Sequence, residues 1–291
     1  MINTLLNVVA PVFIIASLGW GWSRLKIPYD SATITKLVMN IGAPSLIFST
    51  VSSLTISADS LGEMAIAATS VIIVTGVVAF VILKIMRMSV QGLLPPLIFG
   101  NTGNMGLPIC YFALGDKGLA LAVIVFTFYA LTTMTIGLWI YSGTKSPVHL
   151  LKSPILYASI TALFCLTTGE LPPELIMKTT RLLGQFTVPL MLITLGISLG
   201  NLTIHSLGRA LATSALRLCL GFAVGVLITE LVGLTGVARG VVILQSSMPV
   251  AVFNYLLAKQ YERNSEEVAE LVFVSTLLSM VSIPLILTYL S

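Results

Sequence analysis

The sequence predicts an all-α membrane protein: ten transmembrane helices in two inverted five-helix repeats, with helices four and nine broken where they cross. Three observations predict it. Of 291 residues only 9% are charged and 56% are hydrophobic, with a mean hydropathy of +1.02; a soluble domain carries about 25% charge. The charges cluster, leaving ten charge-free or nearly charge-free stretches at about 1–23, 37–58, 64–83, 88–115, 118–144, 153–169, 182–208, 210–229, 240–258 and 271–291. Most reach the roughly 17–25 residues that a spanning helix needs. Third, one of these stretches holds a run that an uninterrupted spanning helix has no reason to carry, and its counterpart lies half a chain away.

Span one (about 3–23) has no basic residue before its apolar run, and Arg24 and Lys26 follow it. It reads as a retained first span rather than a signal peptide, whose positive charge comes first. Span two (33–54) contains KLVMNIGAPSLI, Lys36 to Ile47, and span seven contains RLLGQFTVPLML, Arg181 to Leu192. These align without gaps at an offset of 145 residues: Lys36 falls on Arg181, Asn40 on Gln185 and Pro44 on Pro189. The same offset lays Leu97-Ile98-Phe99 of span four on Val242-Ile243-Leu244 of span nine. Five spans per half is an odd number, so the second half is inverted, and inverted repeats with matching broken helices mark secondary transporters.

Spans three (61–83), five (118–142), six (152–169), eight (207–229) and ten (268–290) are more ordinary. Span ten opens on Ser265-Glu266-Glu267, a helix start with carboxylates near the positive end of the dipole. The halves, 1–145 and 146–291, join in the loop Ser142 to Ser153 and together form one membrane transporter domain.

Orientation follows from the basic residues. With the N-terminus outside, eleven lie on the cytoplasmic side (Arg24, Lys26, Lys36, Lys84, Arg87, Lys145, Lys152, Arg209, Arg217, Lys259, Arg263) and four outside (Lys117, Lys178, Arg181, Arg239). This positive-inside bias puts both termini outside the cytoplasm, in a multi-pass protein of the cell (inner) membrane. The net charge of +4 is thus a topology signal; no clustered basic face exists to bind nucleic acid. Cys110, Cys165 and Cys219 form no CxxC and read as small buried hydrophobes.

The unusual run is G-N-T-G-N-M-G-L-P, Gly100 to Pro108. Glycine and proline weaken a helix, and each asparagine brings an amide that hydrocarbon cannot satisfy. Irregular backbone at membrane depth survives only where protein or a polar cavity covers it. Two crossing broken helices offer free N–H groups at half-helix starts, which attract an anion, and free carbonyls at half-helix ends, which suit Na⁺ or a polar cavity. Candidate substrate-binding residues are therefore Asn101, Gly103, Asn104, Gly106 and Pro108 in span four. Span nine adds Gln245, Ser246, Ser247, Pro249 and Asn254. The competing reading makes Gly100, Gly103 and Gly106 packing positions only. Asn40, Pro44, Gln185 and Pro189 read as hinges flanking the site.

Among ionisable residues, Glu63, Asp116, Glu230, Glu270 and His205 read as interfacial side chains. Arg217, about ten residues into span eight, either snorkels to the inner surface or lends positive charge to an anion path. No Ser–His–Asp set, metal-spaced His/Cys cluster or P-loop is present, so no enzyme, metal site or cofactor is expected.

The segment GNTGNMGLPI, Gly100 to Ile109, resembles the fourth-span motif of the auxin efflux carrier family. VFVSTLLSMVSIP, Val272 to Pro284, is similar to that family's last span. The resemblance covers essentially the whole chain and implies the fold of the bile-acid/sodium symporters, with a scaffold domain and a core domain that moves as an elevator. It implies organic-anion transport, with Asn101 and Asn104 helping to hold the substrate carboxylate and Pro108 and Pro249 marking the breaks. Two departures set this chain apart from plant members: Met248-Pro249-Val250 at the second break, and no long hydrophilic loop.

The expected function is secondary transport of small organic anions such as mono- or dicarboxylates, bound where helices four and nine cross. A sodium-coupled symporter of the bile-acid type is the nearest alternative, followed by a non-transporting sensor or a channel. Na⁺, H⁺ or no coupling ion, and a homodimer, all stay open; the bilayer is the other expected partner.

Overall fold

A computed structural model describes residues 2–53, 58–143, 154–200 and 207–290. The helices are α1 (Ile2–Arg24), α2 (Ser31–Leu37), α3 (Ala43–Val51), α4 (Ala58–Ile85), α5 (Val90–Ile98), α6 (Leu107–Thr132) and α7 (Leu138–Ser142). After them come α8 (Pro154–Thr168), α9 (Glu174–Gln185), α10 (Thr187–Gly200), α11 (Leu207–Val232), α12 (Gly236–Ser246), α13 (Val252–Gln260) and α14 (Ser265–Leu290). Among the described residues there is no strand beyond one isolated bridge, Gly100 with Val250. Gly62–Ile85, Thr102–Ser142, Leu207–Val232 and Ser265–Leu290 are each long and apolar enough to cross a bilayer. Thr102–Ser142 is not one rod: Gly115 sits at φ +68°, ψ −162°, so spans four and five part where the charge pattern divides them. The junction loop's Lys145 and Lys152, and His205, lie outside the described residues.

Hydrocarbon offers helices no hydrophobic reason to associate, so close packing of small residues has to hold them. A methyl group at Gly196 of α10 would overlap the Ala16 carbonyl of α1, and one at Gly19 would overlap the Ile193 carbonyl. Gly221 and Gly225 of α11 lie against the Ser246 carbonyl and hydroxyl at the end of α12 in the same way. The opposite faces are apolar and exposed. On α4, Ile66, Ile73 and Val77 share a side and are each nearly 60% exposed, as a lipid-facing stripe requires.

Three π-helical turns interrupt this regularity, at Val38–Gly42, Thr102–Gly106 and Thr133–Gly137. The first contains Asn40, whose exposed amide donates to Lys36 O at 2.8 Å, and it leads into α3 with Pro44 in the first turn. Gln185 ends α9, and α10 restarts after Phe186 with Pro189 close behind. These two kinks pack together: a methyl group at Gly42 would come 2.5 Å from Thr187 Oγ1, and one at Gly184 would come 3.0 Å from Leu46 Cα.

Candidate functional site

Helix α5 starts on a Ser89 cap, its hydroxyl accepting from Gly92 N at 3.2 Å, and stops at Ile98. Phe99 is extended, and Asn101 has neither helical nor strand geometry. The chain re-enters a helix at Thr102 because Asn101 caps it, Oδ1 accepting from Asn104 N at 3.2 Å. Pro108 follows at the start of α6, directly after the π-helical turn Thr102–Gly106. The second interruption runs from Ser247 to Ala251, between α12 and α13, around Pro249.

The two interruptions satisfy each other. Asn101 N donates to Pro249 O at 2.6 Å and Ala251 N to Phe99 O at 3.3 Å, which pairs Gly100 with Val250 in antiparallel fashion. Asn254 Nδ2 donates to the same Phe99 carbonyl at 2.9 Å, and Ser275 of α14 accepts from Val250 N at 3.0 Å. Backbone groups that hydrocarbon would strand are thus paired within the protein.

Around this junction lie buried polar atoms with no partner among the described residues: Asn101 Nδ2, Gln245 Oε1 and Nε2, Asn254 Oδ1, and Arg217 Nε and Nη2. Gly106 lies against the Gln245 amide, Gly100 against the Arg217 guanidinium, and a methyl group at Gly103 would come 2.9 Å from the Phe126 ring. The glycines therefore leave room for specific side chains. Asn104 is half-buried. Ser246 and Ser247 spend their hydroxyls on Ile243 O, at 3.0 and 2.6 Å, within their own helix.

At the first half-helix start four N–H groups are already engaged. Thr102, Asn104, Met105 and Gly106 amides donate to Gly100 O, Asn101 Oδ1, Asn101 O and Asn101 O. Two interfacial expectations change. Arg217 is 1% exposed and does not snorkel, and Glu270 is buried at 3%. Sequence reasoning singled out neither Ser275 nor Tyr129, whose phenol lies within electrostatic reach of Arg217. A hydroxyl in an ordinary-looking span carries no signal of its own.

A cavity of about 990 Å³ opens along the start of α6. Leu107, Pro108, Tyr111 and Phe112 form one wall, Gln185 and Pro189 part of another, and Asp116, Lys117 and Arg181 add charge. Pro108 is the one candidate binding residue on its lining, and the hinge residues Gln185 and Pro189 are wall residues. Among the described residues no group of three or more His, Cys, Asp or Glu could hold a metal ion.

A family model described as "Membrane transport protein" matches residues 4–147 and 139–287. The chain belongs to this membrane transport family, of the auxin efflux carrier type. It is a multi-pass membrane protein, and a transporter by family. It is 26% identical over 268 residues, 87% of each chain, to an uncharacterized transporter of Methanocaldococcus jannaschii. It is also 27% identical over 293 residues, 95% of each chain, to an uncharacterized transporter of Methanothermobacter thermautotrophicus.

Proposed function

We propose that this transporter is a secondary carrier of small organic anions such as mono- or dicarboxylates, with the substrate bound where broken helices four and nine cross. The observation that carries the reading is the mutual pairing of the two interruptions at Gly100 and Val250, ringed by unpartnered amides. Breaking two helices inside a membrane protein has a cost that a site repays. Asn101 Nδ2 has no partner among the described residues and is the type of donor a carboxylate needs. Lys117 and Arg181 on the cavity draw an anion toward Pro108.

Ten spans in two inverted repeats, 1–145 and 146–291, complete the reading. Gly42 and Thr187, matched by the 145-residue offset, lie against each other, as equivalent positions near a two-fold axis do. One repeat-derived body moves against the other in an elevator step, with Asn40, Pro44, Gln185 and Pro189 at the kinks. Both termini lie outside the cytoplasm, and a homodimer is compatible with this arrangement.

The test is current and uptake in proteoliposomes challenged with a panel of mono- and dicarboxylates. Saturable uptake of at least one acid supports the reading. Folded, correctly inserted protein that moves none of them contradicts it.

A further inference from the structure

Arg217 stands in the middle of α11 and is the largest fully buried side chain among the described residues. Arginine keeps its charge in proteins, and a buried charge without compensation is strongly unfavourable. Among the described residues its Nε and Nη2 have no hydrogen-bond partner. Tyr129 is its titratable neighbour.

Its position identifies what faces the charge instead. A methyl group at Gly100 would overlap Arg217 Nη2 and come 2.9 Å from Met248 O. One at Gly221 would overlap the Ser246 carbonyl and come 2.7 Å from Arg217 Nη1. The guanidinium therefore sits where α5 has just ended at Ile98 and α12 at Ser246. Both are helix C-termini, the negative ends of two dipoles that converge inside the protein. That is the electrostatic environment of a bound cation, yet a side chain already fills it. Arg217 is also absent from the lining of the cavity through which a solute would approach Pro108.

We propose that Arg217 is a tethered cation: its guanidinium supplies the positive charge that the two converging half-helix ends require, so the crossing takes up no Na⁺ or K⁺. The inference rests on reading the two interruptions as the transport site and bears on coupling, since a carrier with its cation built in has no sodium to release there. Gly100 and Gly221 are the small residues that make room for it.

The test is the unfolding midpoint of purified protein in choline, sodium and potassium chloride, for wild type, Arg217→Lys, Arg217→Met and Arg217→Ala. Wild type unfolds at the same temperature in all three salts. Arg217→Met, which keeps the volume and deletes the charge, falls by roughly 5–10 °C, and Arg217→Lys falls less. Millimolar guanidinium ion raises the Arg217→Ala midpoint saturably and leaves wild type unchanged. A wild-type midpoint that climbs saturably with Na⁺ overturns the proposal, and so does Arg217→Met as stable as wild type. Arg217→Ala that folds but ignores every cation overturns it too. If Arg217→Ala does not fold, wild type and Arg217→Met still decide. None of these readings needs a substrate, so failure of the transport assignment and failure of the tethered cation are separately visible.

Discussion

At Phe99 one carbonyl oxygen receives two donors, the Ala251 N–H at 3.3 Å and Asn254 Nδ2 at 2.9 Å. Asn254 is fully buried, so Asn254→Ala removes a bridge between the interruptions and leaves a buried acceptor under-satisfied. The expected loss is about 1–3 kcal/mol of stability, read as a lower unfolding midpoint with unchanged helix content. Asn104 contrasts with it: half-buried, its backbone N–H already accepted by Asn101, and proposed here as a substrate ligand. Asn104→Ala is expected to lower transport by about tenfold, the worth of one charge-assisted hydrogen bond. Its unfolding midpoint should stay within about 2 °C of wild type, a shift below ~1 kcal/mol. Ser247→Ala should do little to substrate affinity, because that hydroxyl is committed to Ile243 O at 2.6 Å.

Among the elements, the sharpest demand falls on Gly115, whose φ of +68° divides spans four and five. Nothing lies within 4 Å of where its Cβ would be, so Gly115→Ala isolates the backbone conformation from packing. It should cost about 1–3 kcal/mol, measured as a lower midpoint, whereas Gly208→Ala, also in open space but inside α11, should be close to neutral. These features were legible in the sequence to different degrees. Glycines, asparagines and a proline in one apolar run exposed the first interruption, and the repeat offset carried it to Gln245–Pro249. The partners of the individual groups were not legible. Whether Asn101 caps its helix or faces a ligand depends on two dihedral angles, and whether Ser246 and Ser247 look inward depends on local helix bonding. Arg217 could reach the interface or the interior from the same sequence position. Gly100 and Gly221, by leaving a space its guanidinium fills, decide for the interior, and that is a tertiary fact.

For the molecule as a whole, the proposed carrier would meet its substrate first at the cavity. Lys117 and Arg181 are exposed on that cavity, whose wall includes Pro108. Arg181→Gln should therefore raise the apparent KM for an anionic substrate roughly threefold to tenfold at low salt, with a smaller effect as ionic strength rises. An unchanged salt dependence would remove Arg181 from the path. The central claim is that the junction of the two interruptions is the substrate site of a carrier. Counterflow of labelled carboxylates into preloaded proteoliposomes, wild type beside Asn104→Ala, tests it most directly. Wild type should accumulate label transiently against its gradient, and the variant about tenfold less per folded molecule. Flux without counterflow, or a variant whose activity falls only in step with its folded fraction, would contradict it.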